Sequence, residues 1–408
     1  MLNYLFSRFT PRARSRAPEM KSSPFIALQL LGQPCWTERS YASLARQGVM
    51  GNAVVYRCVR MIAEGAASIP FLVHEGAAKL ETHPLLSLLA SPNARESGAA
   101  LFERWYGYLQ CAGDSYLQAL SVGGEIRELH VLRPDRVKPV EGGNGWPSAY
   151  EYSANGRTVR IGRDASGFLP VLHATLFHPL DDCRGLSPVE AAITAIDVHN
   201  QGASWTKALL DNAARPSGAL VFKGPDGVPN LTGEQWERLK AELMDNYAGA
   251  TNAGRPMVLE GGLEWQSMSH SPADLDFANT RDVAAREIAL AFGVPPMLLG
   301  IPGDNTYSNY AQANLALWRQ TIVPLVARTA AQLTRWLAPK FGDGLRIGYD
   351  IDAIPALVED RQASWDRIGS ASFLTLNEKR AAAGYGPVEG GNVLPRNSLS
   401  PSGGEDTG

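Results

Sequence analysis

The sequence has little of what marks secreted, membrane-spanning or metal-binding proteins. Its 408 residues include four cysteines, at positions 35, 58, 111 and 183, and none of them forms a C-x-x-C pair. This spacing indicates reduced thiols in a reducing compartment rather than a disulfide framework. No apolar run reaches the roughly 18 residues that a transmembrane helix needs, so we expect no membrane span.

Charge is also scarce. Charged residues make up 19% of the chain, and the net charge is −3. This near-neutral balance argues against a protein that grips nucleic acid over its whole surface, but not against one that guides it. The 45% of apolar residues, together with 40 glycines and 27 prolines, predicts a folded chain that is rich in turns.

Catalytic signatures are missing as well. The sequence contains no G-x-x-x-x-G-K-[ST], G-x-S-x-G or H-E-x-x-H motif. One cluster, at a strand end and the turn after it, has the composition of a metal site: His173, His178, Asp181, Asp182 and Cys183. We favour a turn with satisfied polar groups, and the alternative is a metal-dependent hydrolase or nuclease that uses residues 173–183. We therefore expect no catalytic residue, no metal and no cofactor.

The N-terminal part of the chain divides into an arm and a mixed unit. Residues 1–48 begin with the basic stretch MLNYLFSRFTPRARSRAPEMK, which lacks the apolar centre of a secretory signal. It predicts a flexible arm, or alternatively an arm that docks on a partner, on DNA or on a membrane. Residues 49–186 combine amphipathic helices with short strands and glycine turns, which predicts an α+β unit.

A small unit between two helices follows. Residues 187–216 begin with an S-x-x-E capping box at Ser187 and predict one long helix. Residues 217–270 predict a β-α-β unit, and residues 271–300 predict a helix that returns. The first helix carries three acidic and two basic residues, and the second carries four and two. Around a ring, such helices would repel phosphates; the alternative is that they are ordinary solvated faces.

A polar loop at residues 301–307 leads into a long helix that carries very little charge. Its apolar stripe includes Leu315, Trp318, Ile322 and Leu325. Because so little charge surrounds this stripe, we expect most of the helix to meet protein, as it would between identical subunits. Pro324 lies inside the helix and predicts a kink near Thr321. The helix and a strand fill residues 308–355, a helical segment follows at 356–395, and residues 396–408 predict a disordered tail.

Several motifs in this order resemble one known family. The sequence is similar, over residues 50–391, to the portal proteins of tailed bacteriophages, in the short lambda-like class, and to the portals of gene transfer agents. The resemblance rests on the following motifs: NAVVYRCVRMIAEGAASIPF, HPLLSLLASPN, LRPDRVKPV, GLSPVEAA, FGVPPMLLG and LTLNEKRAAAGYGPVEGG.

The resemblance implies an α+β portal fold that forms a twelve-fold ring at one vertex of a capsid. Residues 49–186 would form the wing together with 308–355, and 356–395 would form a short crown. The two helices at 187–216 and 271–300 would be the stem, and 217–270 the clip. The loop at 301–307 would line the DNA tunnel with a polar tip, which has no lysine or arginine to act as an electrostatic clamp: Gly303, Asp304, Asn305, Thr306 and Tyr307.

The resemblance also implies partners and a location. Leu315, Trp318, Ile322 and Leu325 would pack between subunits of the ring. Double-stranded DNA would pass through the channel, and the large subunit of the terminase, a head–tail adaptor and the major capsid protein would dock on the ring. The protein would belong to a virion or phage-like particle assembled in the bacterial cytoplasm, and it would not be an enzyme.

Overall fold

The computed structural model describes residues 36–143, 145–211, 218–222, 232–247, 263–267, 277–302, 307–383 and 385–394. The chain divides into two units, Met1–Trp36 and Thr37–Gly408, and the elements below belong to the second. Its α-helices are α1 Tyr41–Ser43, α2 Ala53–Ala67, α3 Pro84–Ala90, α4 Gly98–Ala112, α5 Pro188–Ala191, α6 Ile193–Asp211, α7 Gly233–Tyr247, α8 Phe277–Phe292, α9 Tyr307–Leu317, α10 Val323–Phe341, α11 Val358–Ser370 and α12 Leu376–Ala382.

The strands pair in antiparallel fashion. They are β1 Phe71–Glu75, β2 Ala78–Leu80, β3 Asp114–Val122, β4 Glu125–Leu132, β5 Val137–Glu141, β6 Pro147–Ala154, β7 Arg157–Ile161, β8 Val171–Thr175, β9 Gly218–Phe222, β10 Leu263–Ser267 and β11 Leu345–Tyr349. The sheets have the orders β11-β1-β2, β4-β3-β8, β5-β6-β7 and β10-β9. The described part of the chain is therefore α+β, and the predicted fold class is confirmed at this level. No helix among the described residues is long and apolar enough to cross a membrane.

The core forms where the apolar faces of several helices meet two of the sheets. Side chains from α2, α4, α6, α8 and α10 share a single cluster with residues of β1, β3 and β11. Burial of one such side chain stabilises the fold by about 1.5–3 kcal/mol, so this cluster decides how the helices are arranged. The largest fully buried members include Ile62, Trp105, Ile196, Ile288 and Leu333.

The helix starts follow the capping signals of the sequence. Asn52 accepts two backbone N–H groups at the start of α2, and Ser187 Oγ accepts the N–H of Glu190 at 2.9 Å. Thr375 and Glu378 form a complete capping box before α12. The single helix predicted for 187–216 is wrong, because Ala192 leaves helical geometry (ψ 5°) and separates α5 from α6.

The outer edge of β11 is closed by a side chain. Thr334, on α10, accepts the backbone N–H of Ile347 at 3.0 Å, and its hydroxyl lies 3.2 Å from the carbonyl oxygen of the same residue. These groups belong to an edge strand, where backbone hydrogen-bonding groups are otherwise open to further pairing. The helix therefore both covers and caps this side of the sheet.

Two glycines allow the chain to cross itself between α4 and β3. Gly113 ends α4 with a φ of 75°, and its carbonyl oxygen accepts the N–H of Leu176 at 2.7 Å. On the other side of the crossing, Gly185 donates its N–H to Asp114 Oδ1 at 2.9 Å. A Cβ at Gly113 would lie 2.2 Å from the Gly185 oxygen. The connection from β8 to α5 is thus fastened at both ends to residues 113–114.

We expect Gly113→Ala to lower the free energy of unfolding by at least about 3 kcal/mol, since it combines a disfavoured φ with a backbone clash. Gly123→Ala is the matched control: its φ is 63°, but an added Cβ meets no atom within 4 Å, so it should cost only about 1 kcal/mol. Chemical denaturation followed by circular dichroism measures both. Equal losses would show that the crossing tolerates a side chain.

Candidate functional site

The segment that leads into the predicted tunnel loop begins at the end of α8. Gly293 follows the helix with a φ of 65°, and the N–H of Val294 reaches back to the carbonyl of Ala289 at 2.9 Å. This left-handed turn stops the helix. The two prolines at 295 and 296 then direct the chain into a 3-10 turn at Pro296–Leu299, so a rigid connection leads up to the loop.

One hydrogen bond joins this turn to the long helix. Thr321 Oγ1 donates to the carbonyl oxygen of Gly293 at 2.8 Å. The approach is close, because a Cβ at Gly293 would lie 2.9 Å from the same hydroxyl oxygen. The end of α8 and the middle of the long helix are therefore held together at one point, and the loop between them starts and ends on connected elements.

The long helix changes its winding at this contact. Residues Trp318–Ile322 form a π turn, in which the N–H of Val323 bonds to the carbonyl of Trp318. Pro324 follows directly; it has no N–H and its ring collides with the carbonyl four residues earlier. A wider turn just before the proline accommodates that collision. The interruption lies where the kink near Thr321 is predicted, and it separates α9 from α10.

The structure brings an arginine to the start of the loop. Arg286, on α8, donates from Nη2 to the carbonyl of Pro302, while Ile301 is buried beside it. The predicted loop residues 303–306 lie outside the described residues, and Tyr307 already belongs to α9. Their contact with DNA stays a prediction. Arg286 was missed because it is sixteen residues away in the sequence.

The residues predicted to pack between subunits have unequal surroundings. Ile322 is 1% exposed within the single chain, and a Cβ placed on Gly65 of α2 would meet its Cδ1 at 2.7 Å. The prediction is wrong for Ile322, because its own chain already covers it. Trp318 and Leu325 are half-buried against the same core, and Leu315 is half-buried without belonging to it. For these three, subunit packing stays a prediction.

The low charge of the long helix has an explanation within one chain. Its stripe, which continues through Val326, Leu333 and Leu337, is buried in the core cluster. Trp336 Nε1 also donates to the carbonyl of Leu169 at 2.9 Å. Intrachain burial therefore accounts for part of the low charge, and the covering of the half-buried side chains by neighbouring subunits stays a prediction.

The candidate metal cluster is spread over separate contacts. His173 Nε2 lies 3.0 Å from Asp114 Oδ1, and its ring stacks on Tyr116. His178 Nδ1 accepts the N–H of Leu180 at 3.1 Å, and Asp181 Oδ1 accepts two backbone N–H groups of its own turn. Within the described ranges, no three His, Cys, Asp or Glu side chains are grouped to hold a metal. The cluster serves the turn before α5.

The thiols of the three cysteines within the described residues, Cys58, Cys111 and Cys183, are held in the protonated form. Burial raises the pKa of the Cys58 thiol to about 12, and it does the same for Cys111. Both thiols therefore stay protonated at neutral pH, where only the thiolate is a good nucleophile. Burial likewise raises the pKa of Cys183, with nearby carboxylates adding to the effect.

Helices α6 and α8 pack against each other, and the charged residues of α6 have partners within the chain. On α6, Asp197 accepts both the N–H and the hydroxyl of Thr37, at 3.0 and 2.5 Å, and Lys207 pairs with Asp211 at 2.5 Å. On α8, Leu290 is 79% exposed. Two of the predicted acidic residues lie at 271–276, outside the described residues, so the acidic character of these helices stays a prediction.

The described residues thus form an α+β fold in which the elements on either side of the loop are joined by the hydrogen bond between Thr321 and Gly293. Residues 53–384 match the family model of the phage portal protein. The chain belongs to the phage portal protein family. Portal proteins are structural, and both the predicted family and the prediction that this chain is not an enzyme are confirmed.

Known proteins support the same assignment along most of the chain. In the neck of an empty gene transfer agent particle computed with C6 symmetry, a chain is 49% identical, with a TM-score of 0.69, covering 88% of this chain and 96% of the other. In the neck of a native particle computed with C12 symmetry, a chain is 48% identical, with a TM-score of 0.67 and the same coverage. The portal protein of Enterobacteria phage HK97 is 25% identical over 369 residues, which are 87% of this chain and 84% of that protein.

We expect Thr321→Val to lower the free energy of unfolding by about 1 kcal/mol, because it removes the hydroxyl that bonds to Gly293 while keeping the side-chain shape. Thr206→Val is the control: the Thr206 hydroxyl bonds only to Gly202, one turn back on α6, at 2.7 Å. That change should stay within about 0.5 kcal/mol. Thermal unfolding of both variants measures the two losses of stability. Equal losses would show that the hydrogen bond between Thr321 and Gly293 contributes no more than the local one at Thr206.

Proposed function

We propose that twelve copies of this chain close into a portal ring at one vertex of a virion or gene transfer agent particle. The observation that carries the proposal is the 48% identity, over 88% of the chain, to a chain in a native particle neck computed with C12 symmetry. Identity at this level along almost the whole chain supports the same assembly. The ring is the channel for double-stranded DNA during packaging and ejection.

We assign the segments of the chain to the regions of a portal subunit as follows. Residues 49–186 and 308–355 form the wing, the helices at 187–216 and 271–300 the stem, 217–270 the clip and 356–395 the crown. The clip receives the large terminase subunit and later the head–tail adaptor, and the wing meets the major capsid protein. In this arrangement the hydrogen bond between Thr321 and Gly293 ties the stem to the wing in each subunit.

The loop at 301–307 brackets the DNA within the channel. Its only ionisable side chains are those of Asp304 and Tyr307, so at neutral pH it carries no cation that would slow a moving polyanion. Arg286 uses one nitrogen to bond to the carbonyl of Pro302, which places a cation beside the first residues of the loop. The tip therefore contacts DNA through short polar groups and the backbone.

Ring formation is tested by negative-stain imaging of the purified full-length protein, with a charge placed on the long helix. We expect Leu315→Asp to abolish rings while the circular dichroism spectrum stays unchanged, because burying an unpaired charge at a contact costs about 3 kcal/mol or more, roughly a hundredfold in association. Ile322→Asp should instead unfold the chain, since Ile322 is 1% exposed within it.

Two results would contradict the proposal. A wild-type protein that stays monomeric at micromolar concentration, and in particles, would exclude the ring. Intact rings from the Leu315→Asp variant would remove that residue from the subunit contact.

The tunnel loop is tested by removing residues 303–307. We expect rings to form normally but nuclease-protected DNA per particle to fall about tenfold, because the tip no longer brackets the duplex. Replacing the same five residues with glycine and serine keeps the length of the loop but removes its side chains. This variant shows whether loop length or side-chain chemistry matters, and we expect its particles to retain most of the DNA. Failure of the deletion variant to form rings would make the loop a structural element instead.

A further inference from the structure

A buried network of side-chain amides joins the start of α2 to α6. Asn52 is 2% exposed, and its side chain lies between the first turn of α2 and two neighbouring residues of α6. Its Nδ2 lies 3.1 Å from His199 Nδ1 and donates to Asn200 Oδ1 at 2.9 Å. Asn200 Nδ2 in turn donates to the carbonyl of Gln47 at 2.8 Å. The network therefore also holds the segment that precedes α2.

Backbone groups fix which members of this network donate and which accept. Asn52 Oδ1 accepts two backbone N–H groups in the first turn of α2, at 3.0 and 3.2 Å. An amide nitrogen cannot accept them, so Asn52 turns its NH2 group toward α6. The carbonyl of Gln47 fixes Asn200 in the same way, because it can only accept, and Asn200 Oδ1 then faces Asn52. His199 Nδ1 is left as the acceptor for the second hydrogen of Asn52 Nδ2.

Protonation of His199 is incompatible with this arrangement. A ring nitrogen that accepts a hydrogen bond carries no proton, whereas both nitrogens of the imidazolium are donors. At 3.1 Å, a protonated Nδ1 would face the NH2 group of Asn52 with two donors opposed. Asn52 cannot offer its oxygen by rotating, because that oxygen caps α2. A proton on His199 Nδ1 therefore removes this hydrogen bond.

The surroundings of His199 also favour its neutral form. Burial lowers the pKa of His199, the Arg281 cation on α8 adds to this effect, and Asp282 on the same helix opposes it. Arg281 Nε is itself buried and has no hydrogen-bond partner among the described residues. On α6, the nearby Asp197 is bonded to Thr37. The network on the α2 side of His199 is uncharged, so its balance of charge is set mainly by α8.

We propose that the network around Asn52 is a pH-sensitive junction, in which protonation of His199 releases the start of α2 and the segment before it from α6. At neutral pH the ring is neutral and the contact is intact. Below the ordinary histidine pKa of about 6.5, the released form takes up a proton that the closed form excludes. The attachment is therefore complete above about pH 6.5 and is lost as the pH falls toward the lowered pKa of His199. This inference concerns a single chain and does not depend on the ring or its channel.

The released segment is bounded by contacts that do not involve His199. On one side, Thr37 is bonded to Asp197 through its N–H and its hydroxyl, at 3.0 and 2.5 Å. On the other side, α2 is buried in the core cluster from Val55 onward. We therefore expect residues 44–56 to loosen at acidic pH while the core stays folded.

The test is hydrogen–deuterium exchange of the purified full-length protein, read by mass spectrometry at about pH 7.5 and about pH 5.5. After correction for the intrinsic effect of pH on exchange, we expect the protection of residues 44–56 to fall about three- to tenfold at the lower pH. About tenfold is the limit for one histidine at one pH unit below its ordinary pKa. Residues 326–338 of α10, which contain no histidine or carboxylate, are the internal reference and should change less than about twofold.

The variant His199→Asn separates titration from structure. The Oδ1 of asparagine takes the place of Nδ1 and still accepts from Asn52, but it binds no proton in this pH range. We expect the protection of residues 44–56 to match the parent at neutral pH and to stay within about twofold of that value at about pH 5.5. His130→Asn is the matched control: His130 Nε2 lies beside Glu128 on β4, at 2.8 Å, and this variant should keep the full fall. Unchanged protection in the parent, or an equal fall in His199→Asn, would overturn the proposal.

The variant Asn52→Asp should reverse the sign of the response. Aspartate caps a helix as well as asparagine does, and its second oxygen accepts a hydrogen bond from the protonated ring of His199. Protection of residues 44–56 should then rise, and not fall, as the pH is lowered. A fall as large as that of the parent would show that the contact between Asn52 and His199 does not carry the response.

Discussion

The contact between Thr321 and Gly293 is the constraint on which the two ends of the loop depend. It fixes the end of α8 to the middle of the long helix, at the point where the helix winding widens ahead of Pro324. The loop that joins the two elements therefore has both of its ends on a shared support. A loop held in this way can be polar and short, because its position is set by the helices and not by its own packing.

The sequence predicted the elements whose causes are local. The N-cap at Ser187, which its spacing to Glu190 predicted, acts within one turn of the chain. The features that it did not reveal depend on distant partners. The break at Ala192, the burial of Ile322 against Gly65 and the reach of Arg286 to Pro302 all require tertiary contacts, which residue spacing does not encode. For the candidate site, the sequence therefore indicated the position of the loop but not the groups that hold it.

The charged residues near the β8–α5 connection differ in whether they have partners. The acidic residues near the β8–α5 connection are tied to backbone N–H groups and to Arg133 or His173, whereas Arg39, Lys138 and Arg184 are left open. Hydrogen bonds from backbone N–H groups fix the positions of these carboxylates without removing their charge. The cavity beside this connection is therefore lined by as many carboxylates as cations.

The hydroxyl of Thr334 on Ile347 has a consequence for how copies of this chain meet. A bare strand edge would let one molecule extend the sheet of the next without limit, in the manner of a growing fibre. Because the N–H of Ile347 is already bonded to the Thr334 hydroxyl, another strand could pair with this position of β11 only by displacing that contact. Thr334 thus makes extension of the sheet through β11 less favourable than it would be at a bare edge.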